Sequence, residues 1–307
     1  MNDPFTALQT PAPTFSAQQA AQLLRRNYGI DAVLEPLVSE RDQNFLAASS
    51  NGTNYILKIA NASEPEAITD FQNQGLLHIA RVDPEFPVPR VIPTRAGGLL
   101  FKVESAPGEA YNVRLLSWLD GVPLHQAEGV VSVARQAGTC LAKLGLMLRD
   151  FEHPASVYPL LWDIRNAASL RELLPYVDDD QLRSLCEQRI EHFCDVTSPH
   201  LATLRSQVIY NDMNTGNVLV HAGDVNRVAG VIDFGDMIHS QLVNDLAVAC
   251  SYFCRLDEKP FADVTELLEA YTSILPLTED EIAVLPDLIL TRRLTTVMIA
   301  HWRASLY

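Results

Sequence analysis

Basic side chains are scarce in this sequence: 23 Lys and Arg stand against 38 Asp and Glu, for a formal net charge of -15. A nucleic-acid backbone is bound through concentrated Lys and Arg, so that partner class is not expected. A nucleotide stays compatible, because a bound divalent ion and a few placed cations manage a triphosphate locally. An acidic surface also suits a cationic small substrate through its long-range field, or serves solubility alone. Long apolar runs are missing too. Nothing approaches the roughly 20 residues that span a bilayer, and the opening MNDPFTALQTPAPTF lacks the basic-then-apolar order of a secretory signal. Neither a membrane partner nor export is expected, and the expected location is cytoplasmic. The five cysteines include no CxxC pair, and Cys250 and Cys254, four apart in an apolar stretch, can share a helix face. Buried free thiols are expected rather than a disulfide framework or a zinc site. Neither GxGxxG nor GxxxxGK[ST] occurs, which disfavours dinucleotide-binding and P-loop architectures. Repeats and low-complexity segments are absent.

What is present is a chain of 307 residues with 48% hydrophobic content, enough for one large domain or two lobes. The stretch that organises it is VIYNDMNTGNVLVHAGDVNRVAGVIDFGD, residues 208–236. Apolar runs at 218–220 and 228–232, separated by Gly223 and Asn226, predict a hairpin. Asp212, Asn217 and Asp233 fall before its first strand and at the end of its second, so one rim can carry all three. Asp and Asn in turns are common, and either half of this pattern alone reads as turn chemistry. Together, Asp212-x4-Asn217, then Asp233-Phe234-Gly235, then Asp245-Leu246-Ala247 match the catalytic and metal loops of kinase-type phosphoryl transfer. In that chemistry an aspartate orients and deprotonates the acceptor hydroxyl, while an asparagine oxygen and a second aspartate hold magnesium.

The flanking sequence supplies two differently textured halves. Residues 1–15, rich in Pro, Thr and Ala, read as a loose arm. Ser16 caps a predicted helix over Ala17–Tyr28 that stops at Gly29. Strands follow at 32–36, 43–49 and 54–59, with Asn51-Gly52 as a tight hairpin turn. Lys58 in the third strand is either a solvent-facing residue or a lysine that pairs with nucleotide phosphates. The loop at 39–45 has no glycine, so a phosphate cradle there would draw on Ser39, Asp42, Gln43 and Asn44. A helix is expected over 64–81, a proline-bounded loop over 87–94, a turn at 106–109, and strands at 99–103 and 111–118. This half reads as a five-strand antiparallel sheet with one inserted helix. After Asp120-Gly121 the pattern becomes helical: 130–150, 180–195, 199–205, 243–253, 264–275, 279–290 and 292–306, the central hairpin being the one β feature. The hinge therefore belongs near 117–121, with an N-terminal nucleotide-binding lobe at 1–119 and a C-terminal helical catalytic and substrate-binding lobe at 120–307.

Across SERDQNF, YILKIAN, DFQNQGLLHIA, VRLLSWLDGVPL, VIYNDMNTGNVLV, GVIDFGDMIHSQLVNDLAVA and RRLTTVMIAHWRASLY, the chain resembles the aminoglycoside phosphotransferase and choline kinase superfamily. Its nearest likeness is to the hydroxylysine-kinase-like branch. The resemblance implies an α+β, protein-kinase-like bilobal fold. It implies Asp212 as the catalytic base, Asn217 and Asp233 as Mg2+ ligands, and Lys58 on the phosphates of ATP or GTP. Backbone groups of Ser117, Trp118 and Leu119 would meet the purine, and Asp245 would tie the loop after the metal site to the helical lobe. Members of this branch also occur as the first domain of larger bacterial proteins with an aminotransferase-like module. Two positions depart from the family: Tyr210 replaces the usual histidine before the catalytic aspartate, and Gln72 stands where many kinases carry the glutamate that partners the strand lysine. Asp70 or Glu66 is the alternative source of that charge.

The expected activity is phosphorylation of a small amino alcohol or hydroxy amino acid. Asp236 is a candidate for its ammonium, Arg114 or Arg303 for a carboxylate, and His239, Asn244 and Trp302 are further candidate contacts. Each has a plainer alternative, Trp302 as helix packing and an isolated arginine as a solvent-facing residue. Homoserine, choline, aminoglycoside and protein Ser/Thr kinases are the rival enzymes, although no APE-type activation segment follows Asp233. A degenerate nucleotide-binding regulatory domain is the rival outside enzymes. No feature speaks to oligomeric state.

Overall fold

The computed structural model describes Phe5 and residues 9–106, 109–255 and 257–305. The chain is α+β and divides into two compact units: residues up to Asp120 together with His153–Ser156, and Gly121–Glu152 together with residues from Val157 onward.

The first unit opens with helix α1, Ala17–Tyr28, whose start is fixed by a capping box between Ser16 and Gln19 and whose end is fixed by Gly29 in the left-handed region at φ 71°. Strands β1 (Ala32–Leu37), β2 (Gln43–Ser49) and β3 (Asn54–Ile59) then run as an antiparallel meander. Helix α2, Glu66–Val82, precedes β4 (Val91–Ile92), β5 (Phe101–Ala106) and β6 (Glu109–Ser117). β6 pairs with β3 on one side and with both β4 and β5 on the other. The sheet therefore has six strands: the five expected and the two-residue β4, too short to leave a periodic signature. Leu24 of α1 and Phe45, Leu57, Ile59, Val113 and Leu115 form its core. The turn expected at 106–109 includes Pro107 and Gly108, outside the described residues.

The N-terminal arm is anchored where it is described. The Gln43 amide donates to the Phe15 carbonyl and accepts from the Phe15 N–H, both at 2.8 Å, and the Phe15 ring meets Tyr111 edge-on at 5.5 Å. Asn61 Nδ2 donates to the carbonyls of Thr10 and Pro11. Two side-chain amides, which can satisfy irregular backbone as a strand would, account for the difference from the loose arm expected.

The second unit contains α3 (Ala134–Met147), a 3-10 segment over Ile164–Tyr176, α4 (Asp180–His192), a π turn over Phe193–Thr197, and the single-turn α5 (Ser198–Leu201). Helices α6 (Leu242–Phe253), α7 (Ala262–Ile274) and α8 (Glu279–Ala304) complete it. α3 and α7 approach through Gly138, where a Cβ would lie 2.3 Å from the Leu267 carbonyl oxygen. Three helical expectations are corrected. The 130–150 helix begins at Ala134, the helix expected at 199–205 is the single turn Ser198–Leu201, and the two helices expected at 279–290 and 292–306 are one. α8 starts at a Thr278/Glu281 capping box and carries Pro286 within its length. Residue 306 lies outside the described residues.

The hairpin is not alone in this unit either. β9 (Val218–His221) pairs with β10 (Asp224–Val231) and with β7 (Val122–Pro123). Separately, β8 (Ser206–Ile209) pairs with β11 (Ile238–Gln241). β8 runs into the segment before Asp212 and β11 takes up the chain after Asp233, so both loops spring from one two-stranded ribbon. All five cysteines are free thiols. Among the described residues, no helix is long and apolar enough to cross a membrane.

Candidate active site

Two non-glycine residues in the described chain adopt positive φ: Asn211 at 66° and Asp233 at 56°. The left-handed region costs an L residue roughly 1 kcal/mol or more, and such residues persist where surrounding contacts over-determine them. Here the contacts are specific. Asp245, buried in α6, accepts from the N–H of Asn211 at 2.8 Å and of Tyr210 at 3.4 Å, while Asn211 Nδ2 donates to the Asp236 carbonyl. The role expected for Asp245 is corrected in its target: its bonds go to the segment before Asp212, not to the loop after Asp233. Burial pushes its carboxyl up to about 7, against the two backbone donors that lower it.

That turn presents Asp212. Asn217 Nδ2 donates to Asp212 Oδ2 at 2.6 Å and to the Asp212 carbonyl at 3.1 Å, and Asn214 Nδ2 donates to Oδ1 at 2.9 Å. The Ile232 N–H donates to the Asn217 carbonyl at 2.9 Å, which draws Asp233 to the same place. Asp233 Oδ1 accepts from the Gly235 N–H at 3.2 Å. The Tyr210 hydroxyl donates to the Ile232 carbonyl and its ring lies against Phe234 at 4.9 Å. Tyr210 thus links the two loops with a phenol. Desolvation raises the Asp212 carboxyl well above the usual range; Asp236 and Asp233 add to the rise, and the Arg292 guanidinium and the Asn214 amide oppose it.

Arg292 was missed as a site residue. It is 1% exposed, and a terminal nitrogen stands 3.7 Å from Asp212 Oδ1. The available signal was its place with Leu288, Thr295, Ile299 and Trp302, which are all buried at heptad-like spacing, so an arginine interrupts the buried face of α8.

In the first unit, Asn44, Lys58 and Arg114 are aligned across β2, β3 and β6 in one cross-strand row. Lys58 is 7% exposed, and the Asn44 amide oxygen is buried with no hydrogen-bond partner among the described residues. Arg114 donates to Asn73 Oδ1 at 3.1 Å and to Gln72 Oε1. That geometry removes Arg114 as a carboxylate receptor, because a buried fork already bound to two amides on α2 has no approach for a metabolite. It also explains Gln72: a neutral amide there satisfies the arginine one strand over from Lys58. Asp70 and Glu66, the alternatives considered, meet His153 at 3.3 Å and Lys102 at 2.8 Å.

The remaining expected residues separate clearly. In the loop at 39–45, Gln43 is spent on Phe15, and Asp42 Oδ1 accepts from the Asn61 N–H at 3.1 Å. In the 117–119 segment, the Ser117 N–H donates to the Arg90 carbonyl and the Trp118 N–H to the Asn54 carbonyl. Purine contacts through those two donors are thereby corrected, leaving carbonyls and Leu119. Trp302 is 3% exposed in the core of α8, as helix packing requires. Asn244 is fully buried and donates to Ser240 at 3.0 Å, while its amide oxygen is buried with no hydrogen-bond partner among the described residues. His239 lies on β11 with its carbonyl bound by Arg165, Asp236 follows the Asp233 loop, and Arg303 is in the last turn of α8.

The donor set fits magnesium. With Nδ2 on Asp212, the Asn217 carboxamide turns its oxygen the other way, and Asp233 adds a carboxylate; both are the hard oxygens this ion takes. No group of three His, Cys, Asp or Glu able to hold a metal occurs among the described residues. Magnesium characteristically uses one or two protein oxygens and completes its shell with water and phosphate.

Residues 33–277 match the phosphotransferase enzyme family. The chain belongs to that family. This phosphotransferase is 26% identical to a hydroxylysine kinase from Mus musculus over 318 residues, covering 96% of this chain and 84% of that protein. It is 27% identical to a homoserine kinase from Methylobacillus flagellatus over 254 residues, covering 80% and 72%. Among solved structures it is similar to an amicoumacin kinase in complex with AMP-PNP, Ca2+ and Ami, with TM-score 0.75, 15% identity, and coverage of 94% and 87%. A microcompartment-associated aminopropanol kinase gives TM-score 0.67 at 20% identity, covering 91% and 87%. The phosphotransferase thus has the bilobal, protein-kinase-like α+β fold, with the antiparallel sheet in the small lobe and the helices in the large one. It is a small-molecule kinase that binds a nucleotide as phosphoryl donor.

Proposed function

We propose that this phosphotransferase moves the γ-phosphate of ATP or GTP to the hydroxyl of a small amine-bearing metabolite, with hydroxylysine as the acceptor. The observation that carries the proposal is the hydrogen-bonded set of Asp212, Asn217 and the Ile232–Asp233 strand end. It occurs in a chain aligned along 96% of its length with a hydroxylysine kinase. Homoserine kinases among the relatives point to the same acceptor chemistry, a hydroxyl on an amino acid.

Asp212 accepts the acceptor hydroxyl proton and aims its oxygen; its raised proton affinity suits a group that must take a proton during transfer. Asn217 and Asp233 hold Mg2+, which when bound offsets the charge on the phosphates. Lys58 contacts those phosphates, with Asn44 beside it in the strand row, and the carbonyls and Leu119 of the hinge segment meet the purine. Asp236 receives the acceptor ammonium, a role supported by its charge bearing on Asp212, and His239 and Arg303 complete the acceptor contacts. Most of the rate enhancement in such a site comes from positioning and electrostatics.

The test is nucleotide-dependent turnover on a panel: hydroxylysine, homoserine, choline, an aminopropanol and an aminoglycoside, each with Mg2+ and either nucleotide. Hydroxylysine is expected to give a kcat/KM at least about tenfold above the others, the scale on which a few polar contacts discriminate. A preference for choline or an aminoglycoside would move the acceptor class. Nucleotide binding without any turnover would assign the chain to regulation instead.

A further inference from the structure

The Arg292 guanidinium is held by everything except the carboxylate it faces. One terminal nitrogen donates to the Trp162 carbonyl at 2.6 Å, the other lies 3.4 Å from the Tyr252 hydroxyl, and the group stands over the Trp162 ring at 4.7 Å and the Tyr252 ring at 5.7 Å. Its Nε is buried without a hydrogen-bond partner among the described residues. The approach to Asp212 is 3.7 Å, longer than a hydrogen bond. The same unit forms a close fork elsewhere: Arg205 grips Glu281 at 2.6 and 2.8 Å. A stand-off beside Asp212 is therefore a feature of this position and not of how the unit pairs charges.

Burying a guanidinium is costly unless its surroundings answer the charge. A carbonyl and two aromatic faces answer part of it here and fix the group in place. A fork would have occupied both Asp212 oxygens, which instead meet the amides of Asn214 and Asn217. The stand-off supplies positive charge and leaves the oxygens directed by the amides. With Arg292 1% exposed, little solvent screens it.

We propose that Arg292 is a positioning residue for phosphoryl transfer, a fixed cation that steadies the Asp212 carboxylate without bonding to it. The proposal rests on Asp212 being the catalytic base. R292M and R292Q remove the charge at similar length, and R292K keeps a point charge without the planar group. In R292M, kcat is expected to fall about 100-fold, the lower end of what loss of a positioned acid–base group costs, with KM for nucleotide and acceptor held within about threefold. R292K should recover about tenfold of that loss, and in a D212N background R292M should change the residual rate less than about threefold.

A kcat within about threefold of wild type in folded R292M or R292Q overturns the proposal. So does a further drop of about 100-fold on adding R292M to D212N, because the arginine would then act through something other than Asp212. Failure of both neutral variants to fold would assign Arg292 to the core and likewise overturn it. D212N separates the two levels: near-normal transfer removes the assignment of Asp212 itself, whereas a crippled D212N beside an active R292M removes only the role of Arg292.

Discussion

Arg114 and Arg292 are both nearly inaccessible, at 4% and 1% exposure, yet the two units surround them differently. Arg114 ends on the neutral oxygens of Gln72 and Asn73, so the first unit spreads a buried charge over amides that carry none. In the second unit charges are set against each other: Asp245 lies in the interior, Asp212 is partly exposed, Asp236 and Asp233 bear on Asp212, and Arg292 opposes their effect on it. The difference separates construction from chemistry. An amide-bound arginine joins helix α2 to the sheet, and its charge also opposes the rise that burial imposes on the Glu64 carboxyl. A carboxylate cluster near one cation is costly to assemble and useful where a proton must move.

The largest effect that would sharpen this contrast concerns pH. The folded-state value of Asp245 is raised from 3.8 to about 7, so its contribution to stability is fully present below pH 4 and is lost as pH rises through 7. That group alone corresponds to about 4 kcal/mol between those limits. Denaturant unfolding at pH 5 and pH 8 should show the loss, and D245N should flatten it; an unchanged slope in D245N would break the comparison on this side. The smaller effect lies in the first unit. R114M removes the donors to the Gln72 and Asn73 oxygens and should lower stability by about 2 kcal/mol. A stability within about 0.5 kcal/mol of wild type would break the comparison on this side.

Much of this was legible because the informative residues lie close together in sequence. Asp212, Asn217 and Asp233 bracket one hairpin, and local spacing was enough to bring them to a shared rim. Asn51-Gly52 and the Ser16 cap were equally local, and β2, β3 and α1 formed where they were expected. What was not legible depended on distant partners. Gln43 finds Phe15, Asp245 finds the backbone at 210–211, and Arg292 finds Trp162 and Asp212; in each case the residue type was compatible with several roles until the fold chose one. Gln72 looked like a departure from the kinase pattern because its partner, Arg114, comes from a strand 42 residues later.

The most direct measurement of the central claim is single-turnover phosphoryl transfer by D212N, with nucleotide affinity measured in parallel. Nucleotide binding should be retained, and transfer to the acceptor should slow by about 1,000-fold, within the range for loss of a positioned general base. Transfer at a near wild-type rate with the same nucleotide affinity would contradict the assignment of Asp212 and with it the proposed site.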